Sequence, residues 1–299
     1  MTAHTGYVAI AGRPNVGKST LLNQLIGQKI SITSRKPQTT RHSLMGIKTL
    51  NKDADSQQII YVDTPGLQAQ TQTAINRYMN RSANSALTNV DLVLFVVEAD
   101  IWQEQDDYVL NQLIASKSPV LLVINKMDRL ERSEQLLPYI EQLQSKYDFI
   151  DICPVSATKR KNLDTLENLI LAQLPEAEPI FDEDQVTDRS SRFMAAEIVR
   201  EKLMRRLGAE VPYQLSVEVE HFEQDDKMLK ISAIIWVERQ GQKAIVIGKQ
   251  GAILKSVGSD ARKDMELLFE QKVFLKLWVK VKTGWSDDER ALRQFGYSE

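Results

Sequence analysis

The sequence predicts an α/β domain built on a mostly parallel sheet with helices on both faces, followed by a smaller α+β domain that begins with a helix. Three observations carry this. Apolar runs at 59–62, 92–97, 119–124 and 149–155 each precede a polar, helix-capable stretch, the alternation of a parallel sheet covered by helices. A glycine-rich turn, Gly12-Arg13-Pro14-Asn15-Val16-Gly17-Lys18-Ser19, follows the apolar run 7–11 and leads into a helix expected to open at Thr20. Beyond residue 187 the order becomes helix, two alternating strands, two helices about a Gly-x-x-Gly turn, and a last strand.

Strand, glycine-rich loop and helix in that order suit a polyphosphate. Glycines let backbone N–H groups turn inward around phosphates, Lys18 supplies a charge between the last two, and the Ser19 hydroxyl reaches a magnesium ion at the positive end of the helix. In a parallel sheet, ligands sit at the carboxyl ends of the strands, so residues just after each strand should converge. Run 59–62 ends in Asp63-Thr64-Pro65-Gly66, run 119–124 in Asn125-Lys126-Met127-Asp128, and run 149–155 in Ser156-Ala157-Thr158. Asp63 is placed to hold the magnesium shell through water, and the Gly66 amide to bond the terminal phosphate and release it. Asp128 offers two carboxylate oxygens to the paired N–H donors of guanine, which adenine lacks. Asn125 would tie its loop to the phosphate loop, Lys126 would lay its alkyl stem along the purine, and the Ala157 amide would meet the guanine carbonyl. Asn-Lys-x-Asp alone is a common surface turn; behind a phosphate loop and an Asp-x-x-Gly it specifies guanine.

Placed at these intervals, Gly12 to Thr20, Lys36-Pro37-Gln38-Thr39-Thr40-Arg41-His42, Asp-Thr-Pro-Gly and Asn-Lys-Met-Asp resemble the translation-factor-related GTPases, and more narrowly the bacterial Era-type GTPases. The resemblance implies a first switch at 30–42, with Thr39 or Thr40 closing on magnesium when GTP is bound, and a second at Gly66 to about Asn76. The choice between the two threonines stays open. Lys18, Thr39, Thr40, Gly66 and Asn15 are then the candidates for catalysis, and Ser19, Thr39, Thr40 and Asp63 those for the metal. One position departs from the better-known small GTPases: Leu67 stands where a water-positioning glutamine would be, so intrinsic hydrolysis should be slow. The family it resembles compensates with a monovalent cation, here potassium, held in part by Asn15. A turn residue is the alternative reading of Asn15.

The boundary between the domains is compositional. Pro175-Glu176-Ala177-Glu178-Pro179 through Asp182-Glu183-Asp184 carries two prolines, five acids and no base, which marks 175–186 as a linker between a domain at 1–174 and one at 187–299. In the second, Phe193, Ala196, Val199, Leu203 and Leu207 recur at helical spacing, with Arg192, Arg200, Lys202, Arg205 and Arg206 on the remaining faces. Strand-like alternation follows at 215–221, 229–237 and 273–281. Between the last two, Ile245-Val246-Ile247-Gly248-Lys249-Gln250-Gly251 opens a helical stretch from about 252 to 271.

This order resembles the KH domain of the type that begins with a helix. Gly-x-x-Gly alone is weak; the preceding Ile-Val-Ile, Lys249 within the turn, and Lys255, Arg262 and Lys263 behind it strengthen it. Residues without side chains let a nucleic-acid backbone approach the helix N-termini. On the last strand Phe274, Lys276, Trp278, Lys280 and Lys282 share a face, a stripe suited to phosphates and base stacking. A solvated edge whose lysines oppose aggregation is the competing reading. Residues 187–299 hold 20 basic and 18 acidic side chains against 18 and 22 before them, so charge supports RNA binding only locally.

At 299 residues, 42% apolar and 26% charged, the chain is an ordinary globular one with room for two domains. It has no apolar run of membrane-spanning length and no signal pattern at the N-terminus, so it is expected in the cytoplasm, with peripheral contact at the inner face of the cell membrane left open. Cys153, the single cysteine, reads as a buried small hydrophobe, and histidines at 4, 42 and 221 have no metal-ligand spacing. Together the residues point to GTP/GDP and RNA. The resemblance adds small-subunit ribosomal RNA near its 3′ end, maturation of the small ribosomal subunit, and a monomer. A regulatory GTPase whose second domain binds protein partners is the alternative; a small-molecule phosphotransferase would need an acceptor site and a base.

Overall fold

Nine strands and nine α-helices form in the computed structural model, which describes residues 3–34, 36–52, 55–67, 73–130, 132–208, 211–225 and 227–297; both counts are of these described residues. In chain order they are β1 His4–Ala11, α1 Lys18–Ile26, β2 Leu44–Lys52, β3 Asp55–Asp63, α2 Ala74–Ser85, β4 Leu92–Glu98, α3 Glu104–Ser116, β5 Val120–Asn125, α4 Leu136–Gln144, β6 Asp151–Pro154 and α5 Leu163–Leu171. Then come α6 Ser191–Arg206, β7 Leu215–Gln224, β8 Leu229–Val237, α7 Gln240–Ile247, α8 Ala252–Phe269, β9 Val273–Val281 and α9 Glu289–Gln294. The chain divides into two compact units. The first is Met1–Ser31, Thr40–Thr71 and Met79–Asp188; the second is Ile32–Thr39, Gln72–Tyr78 and Arg189–Glu299.

In the first unit the strand order is β2-β3-β1-β4-β5-β6, parallel throughout except that β2 runs against β3. Every residue of β4 and β5 is buried, as in strands covered on both faces. Val93, Phe95 and Val97 pack with Ala83 of α2, Leu110 and Leu113 of α3 and Leu143 of α4. The alternate residues of β4 point to the other face; α1 contacts β1, β2 and β3, and α5 contacts β6. Burying each large apolar side chain stabilises by about 1.5–3 kcal/mol. Because the strands are parallel, the loops after β1, β3, β4, β5 and β6 leave from one edge.

The strands differ from the sequence expectation where periodicity is weak. No periodicity announces the antiparallel β2: Leu44, Met45, Ile47 and Leu50 follow no period of two, and among the described residues its outer edge is met only by a single antiparallel bridge between Gly46 and Thr187. β3 starts at Asp55 and β6 spans only four residues. α1 opens at Lys18, two residues early, because Gly17 at φ 105° already turns the chain into the helix. Of the second switch expected at 66–76, residues 68–72 lie outside the described residues, and Ala74 to Asn76 belong to α2 rather than to a loop. The acidic segment 175–186 is fastened within the first unit. Thr5 N donates to Pro175 O, Ala177 N to Ala3 O and Ile47 N to Val186 O, and the buried Gln58 amide accepts from Ile180 N and Phe181 N and donates to Phe181 O.

The second unit has a three-stranded sheet, β7-β8-β9, with β7 antiparallel and β9 parallel to β8. Ser190 caps α6, its hydroxyl accepting from Phe193 N at 3.4 Å. Ala195, Ile198, Val199 and Leu203 of α6 and Val257, Ala261 and Met265 of α8 pack on Leu215, Ile231, Ala233, Ile235 and Val273. This corrects one expectation: Phe193 is outside the buried stripe, its ring under Arg189. Arg200 and Lys202, on the remaining faces, are buried and neutralised by Glu197 and Asp264. The alternation of β7 breaks at a bulge between Val219 and His221. Trp285, fully buried against Phe295 and Tyr297, anchors the C-terminal segment.

Candidate nucleotide site and nucleic-acid interface

The loop after β1 is bent by residues few others could replace. Gly12 has φ 149°, and a Cβ there would stand 2.4 Å from Val96 O; a Cβ on Gly17 would stand 2.4 Å from Asn125 Nδ2. Asn15 takes a left-handed φ of 67°. Lys18 Nζ donates to Gly12 O at 2.8 Å and Arg13 O at 3.0 Å, which fixes the ammonium across the loop. Burial brings its pKa down to about 8, against the pull of Asp63. Val16 and Pro14 complete the turn, and a Cβ on Gly66 would meet Pro14 at 2.9 Å, so the loop after β3 lies directly against the phosphate-loop backbone.

Four oxygen-bearing side chains meet at the end of β3. Asp63 Oδ2 accepts from Ser19 Oγ at 2.9 Å, Ser31 Oγ at 2.8 Å and Thr40 Oγ1 at 3.4 Å, and Ser19 and Thr40 lie 2.7 Å apart. Asp63 Oδ1 is buried without a hydrogen-bond partner. Burial raises the Asp63 pKa, opposed by the Lys18 charge and the three hydroxyls. A buried carboxylate with an unused oxygen among hydroxyls fits a small, hard cation that takes oxygen ligands. Thr39 does not join the cluster: its hydroxyl bonds Ser34 Oγ and Lys36 O, each at 2.7 Å. Ser31 was missed because no motif contains it. Thr64 turns inward, donating to Ile10 O, and Leu67 is buried in the core.

The loops after β5 and β6 are joined by Asn125. Its Nδ2 donates to Val16 O at 2.9 Å, while its Oδ1 accepts from Lys126 N at 2.8 Å and Ala157 N at 3.1 Å. Ser156 donates to the Asp128 carboxylate, holding it on the same side. Lys126 Nζ reaches Asn15 O at 2.7 Å and Glu98 Oε2 at 2.8 Å. Glu98 and Asp106, the latter bonded to Arg13 Nε at 3.0 Å, escaped the sequence reading. The signal for Glu98 was present, since it is the one charged residue of β4 and sits at that strand's carboxyl end.

In the second unit, Gly248 at φ 73°, Gln250 at φ 52° and Gly251 at φ 78° form a tight left-handed turn at the start of α8. A Cβ on Gly248 would lie 2.6 Å from Ile253; none would be contacted at Gly251, where φ alone favours glycine. No side chain caps α8, and Lys249 and Gln250 are exposed. Lys255 and Arg262, both exposed, lie two turns apart on α8 and share a face. The β9 stripe is exposed at Phe274, Lys276, Trp278 and Lys280. Lys276 sits over the Phe274 ring, and Lys280 is shared between Glu220 and the Trp236 ring.

Comparison with known proteins agrees with both halves. Residues 7–126 match the family described as 50S ribosome-binding GTPase, and residues 210–286 match the KH domain. GTPase Era of Pseudomonas aeruginosa is 57% identical over 294 residues, covering 98% of this chain and 95% of that protein. GTPase Era of Ectopseudomonas mendocina is 58% identical over 292 residues, covering 98% and 96%. An Aquifex aeolicus Era variant bound to GDP and aluminium fluoride is similar at a TM-score of 0.95, with 40% identity, over 99% of this chain and 100% of that one. So is an Era in complex with MgGDPNP and nucleotides 1506–1542 of 16S ribosomal RNA, at a TM-score of 0.95 and 41% identity over the same shares. Identity of this extent over nearly the whole of both chains embraces the two units together: the chain belongs to the Era family of GTPases, enzymes that bind guanine nucleotides and hydrolyse GTP.

Proposed function

We propose that this protein is a GTP-dependent switch that grips small-subunit ribosomal RNA near its 3′ end and assists maturation of the small ribosomal subunit. The observation that carries the proposal is the strained Gly248–Gly251 turn, with exposed Lys249 at the uncapped start of α8, in a relative of a protein solved on 16S ribosomal RNA. Lys249, Gln250, Lys255 and Arg262 would meet backbone phosphates, and Lys276 and Lys280 would extend the contact. Crosslinking in cells, followed by sequencing of the attached RNA, tests it. Enrichment at the 3′ end of the small-subunit RNA is expected; absence of RNA adducts would favour the protein-partner alternative. We place the protein in the cytoplasm as a monomer. No described helix is long and apolar enough to cross a membrane, and fractionation at low and high salt reads any peripheral share.

In this reading Gly12 to Ser19 cradle the triphosphate, Lys18 bridges the last two phosphates, and Asp128 pairs with guanine. Magnesium, when bound, neutralises phosphate oxygens, and Ser19, Asp63 and Thr40 are the residues to hold it. Thr40 is preferred over Thr39 because its hydroxyl already faces Ser19 and Asp63. Gly66, against Pro14, follows the terminal phosphate. Leu67 is buried and carries no polar group to orient water, so another source of charge stabilisation is needed. Exposed Asn15 within the phosphate loop would help hold potassium. Hydrolysis should then be faster in potassium than in sodium, and Asn15→Ala should erase the difference; equal rates in both salts would remove the cation from the account.

A further inference from the structure

Glu98 ends β4 nearly buried, at 8% exposure, and three cations converge on it. Lys126 Nζ lies 2.8 Å from Oε2, Arg129 Nη1 lies 2.9 Å from Oε1, and Arg13 Nη2 lies 3.5 Å from Oε2. Arg13 is in turn held by the fully buried Asp106, which also accepts from Gln103 N. One carboxylate therefore joins the phosphate loop to the Asn-Lys-x-Asp loop. Both loops are strained at the join: Asn15 and Lys126 have φ of 67° and 65°, and Lys126 Nζ donates to Asn15 O. Such backbone persists only where its surroundings enforce it.

We propose that Glu98 is a positioning residue that sets guanine-nucleotide affinity by holding Lys126 against the phosphate loop. This rests on the reading of Lys126 as the lysine whose stem lies along the purine. Burial disfavours the Lys126 ammonium, and of the charged groups that act on it Glu98 is the anion, with Arg129 and Arg13 both repelling. Burial alone would raise the Glu98 pKa, yet Lys126, Arg129 and Arg13 together hold it below the usual carboxylate range, so it is ionised at neutral pH. Neutralising Glu98 leaves the Lys126 ammonium with the Asn15 carbonyl alone, beside Arg129 and an Arg13 still paired with Asp106. The lysine stem then loses its fixed path, and binding must order it anew.

Steady-state GTP hydrolysis and release of fluorescent GDP by Glu98→Gln test the inference. KM and the GDP release rate should each rise by roughly tenfold, less than for outright loss of one partner in a buried charge pair because the amide oxygen still accepts from Lys126, with kcat at saturating GTP little changed. Glu98→Asp keeps the charge but draws it back, and its KM should fall between wild type and Glu98→Gln. A wild-type KM in Glu98→Gln overturns the inference, as does an equal rise in both variants, which would tie the effect to shape rather than charge. If Glu98→Gln does not fold, Glu98→Asp decides alone: its KM must rise severalfold, and a wild-type value overturns the inference. Failure of Asp128→Asn to change base preference would instead overturn the underlying reading of the base site.

Discussion

Asp128→Asn should exchange guanine for xanthine. In the proposed base site the carboxylate would accept from the two parallel N–H donors of guanine, and Ser156 fixes it in place by donating to one of its oxygens. An amide offers one acceptor and one donor, which leaves a guanine donor facing a donor but matches xanthine, whose ring carries a carbonyl where guanine has its amino group. A site built around such a pair discriminates by roughly 10⁴, because a mismatched base leaves buried polar groups unpaired. Titration of the variant with fluorescent GDP and XDP should show the preference inverted. Retained GDP affinity with no gain for XDP would remove Asp128 from the base site.

Loss of RNA binding on substitution in the Gly-x-x-Gly turn is the second large effect. Gly251→Asp places a carboxylate where a phosphate should pass, and space is not the obstacle, since no atom lies within 4 Å of the added Cβ. Gly248→Asp adds a clash with Ile253 and so perturbs the turn as well. RNA affinity should fall by at least about tenfold in both, from charge repulsion and the strain of a positive φ, while GTP hydrolysis persists. Lys249→Ala should instead mainly flatten the salt dependence, by about 0.7 in the log–log slope for one lost single-strand phosphate contact. Undiminished RNA binding in both glycine variants would move the RNA site elsewhere.

What was legible in the sequence follows the range of the interactions. Gly12 to Ser19, Asp63 to Gly66 and Asn125 to Asp128 were readable because each motif packs its chemistry into a few consecutive residues after a strand, and parallel strands bring their ends together. The KH order was readable because β8 and β9 alternate along most of their length and its turn needs glycine. Thr39 and Thr40 could not be separated, being identical neighbours in a segment without periodicity; only the fold turns one hydroxyl to Asp63 and the other to Ser34. Ser31 and Asp106 act through partners 32 and 93 residues away, which no local pattern encodes, whereas Glu98 carries a local mark as the one charge at the end of β4 but finds its partner 28 residues on. Arg200 and Lys202 fall outside the apolar stripe of their helix, and their burial depends on Glu197 and Asp264, of which Asp264 lies 62 residues away from Lys202. β2 was hidden by its irregular pattern.

Nucleotide state should govern the grip on RNA. Within the second unit, the segment Ile32–Thr39 is bonded to α6. Buried Glu201 accepts from Thr33 N at 3.0 Å, Arg205 Nε donates to Thr33 O at 3.1 Å, and Arg200 donates to Thr39 O. The next residue in the chain is Thr40, whose hydroxyl faces the Asp63 cluster. Thr40 is therefore one peptide bond away from a segment that is hydrogen-bonded to α6. Titrating a 3′-end fragment of small-subunit ribosomal RNA against the protein loaded with a non-hydrolysable GTP analogue, loaded with GDP, and free of nucleotide measures the coupling directly. RNA affinity should be highest with the analogue, by a factor of about 5–150 over GDP, and RNA should tighten analogue binding by the same factor relative to GDP. Identical RNA affinities in all three states would contradict the account and leave two tethered domains working independently.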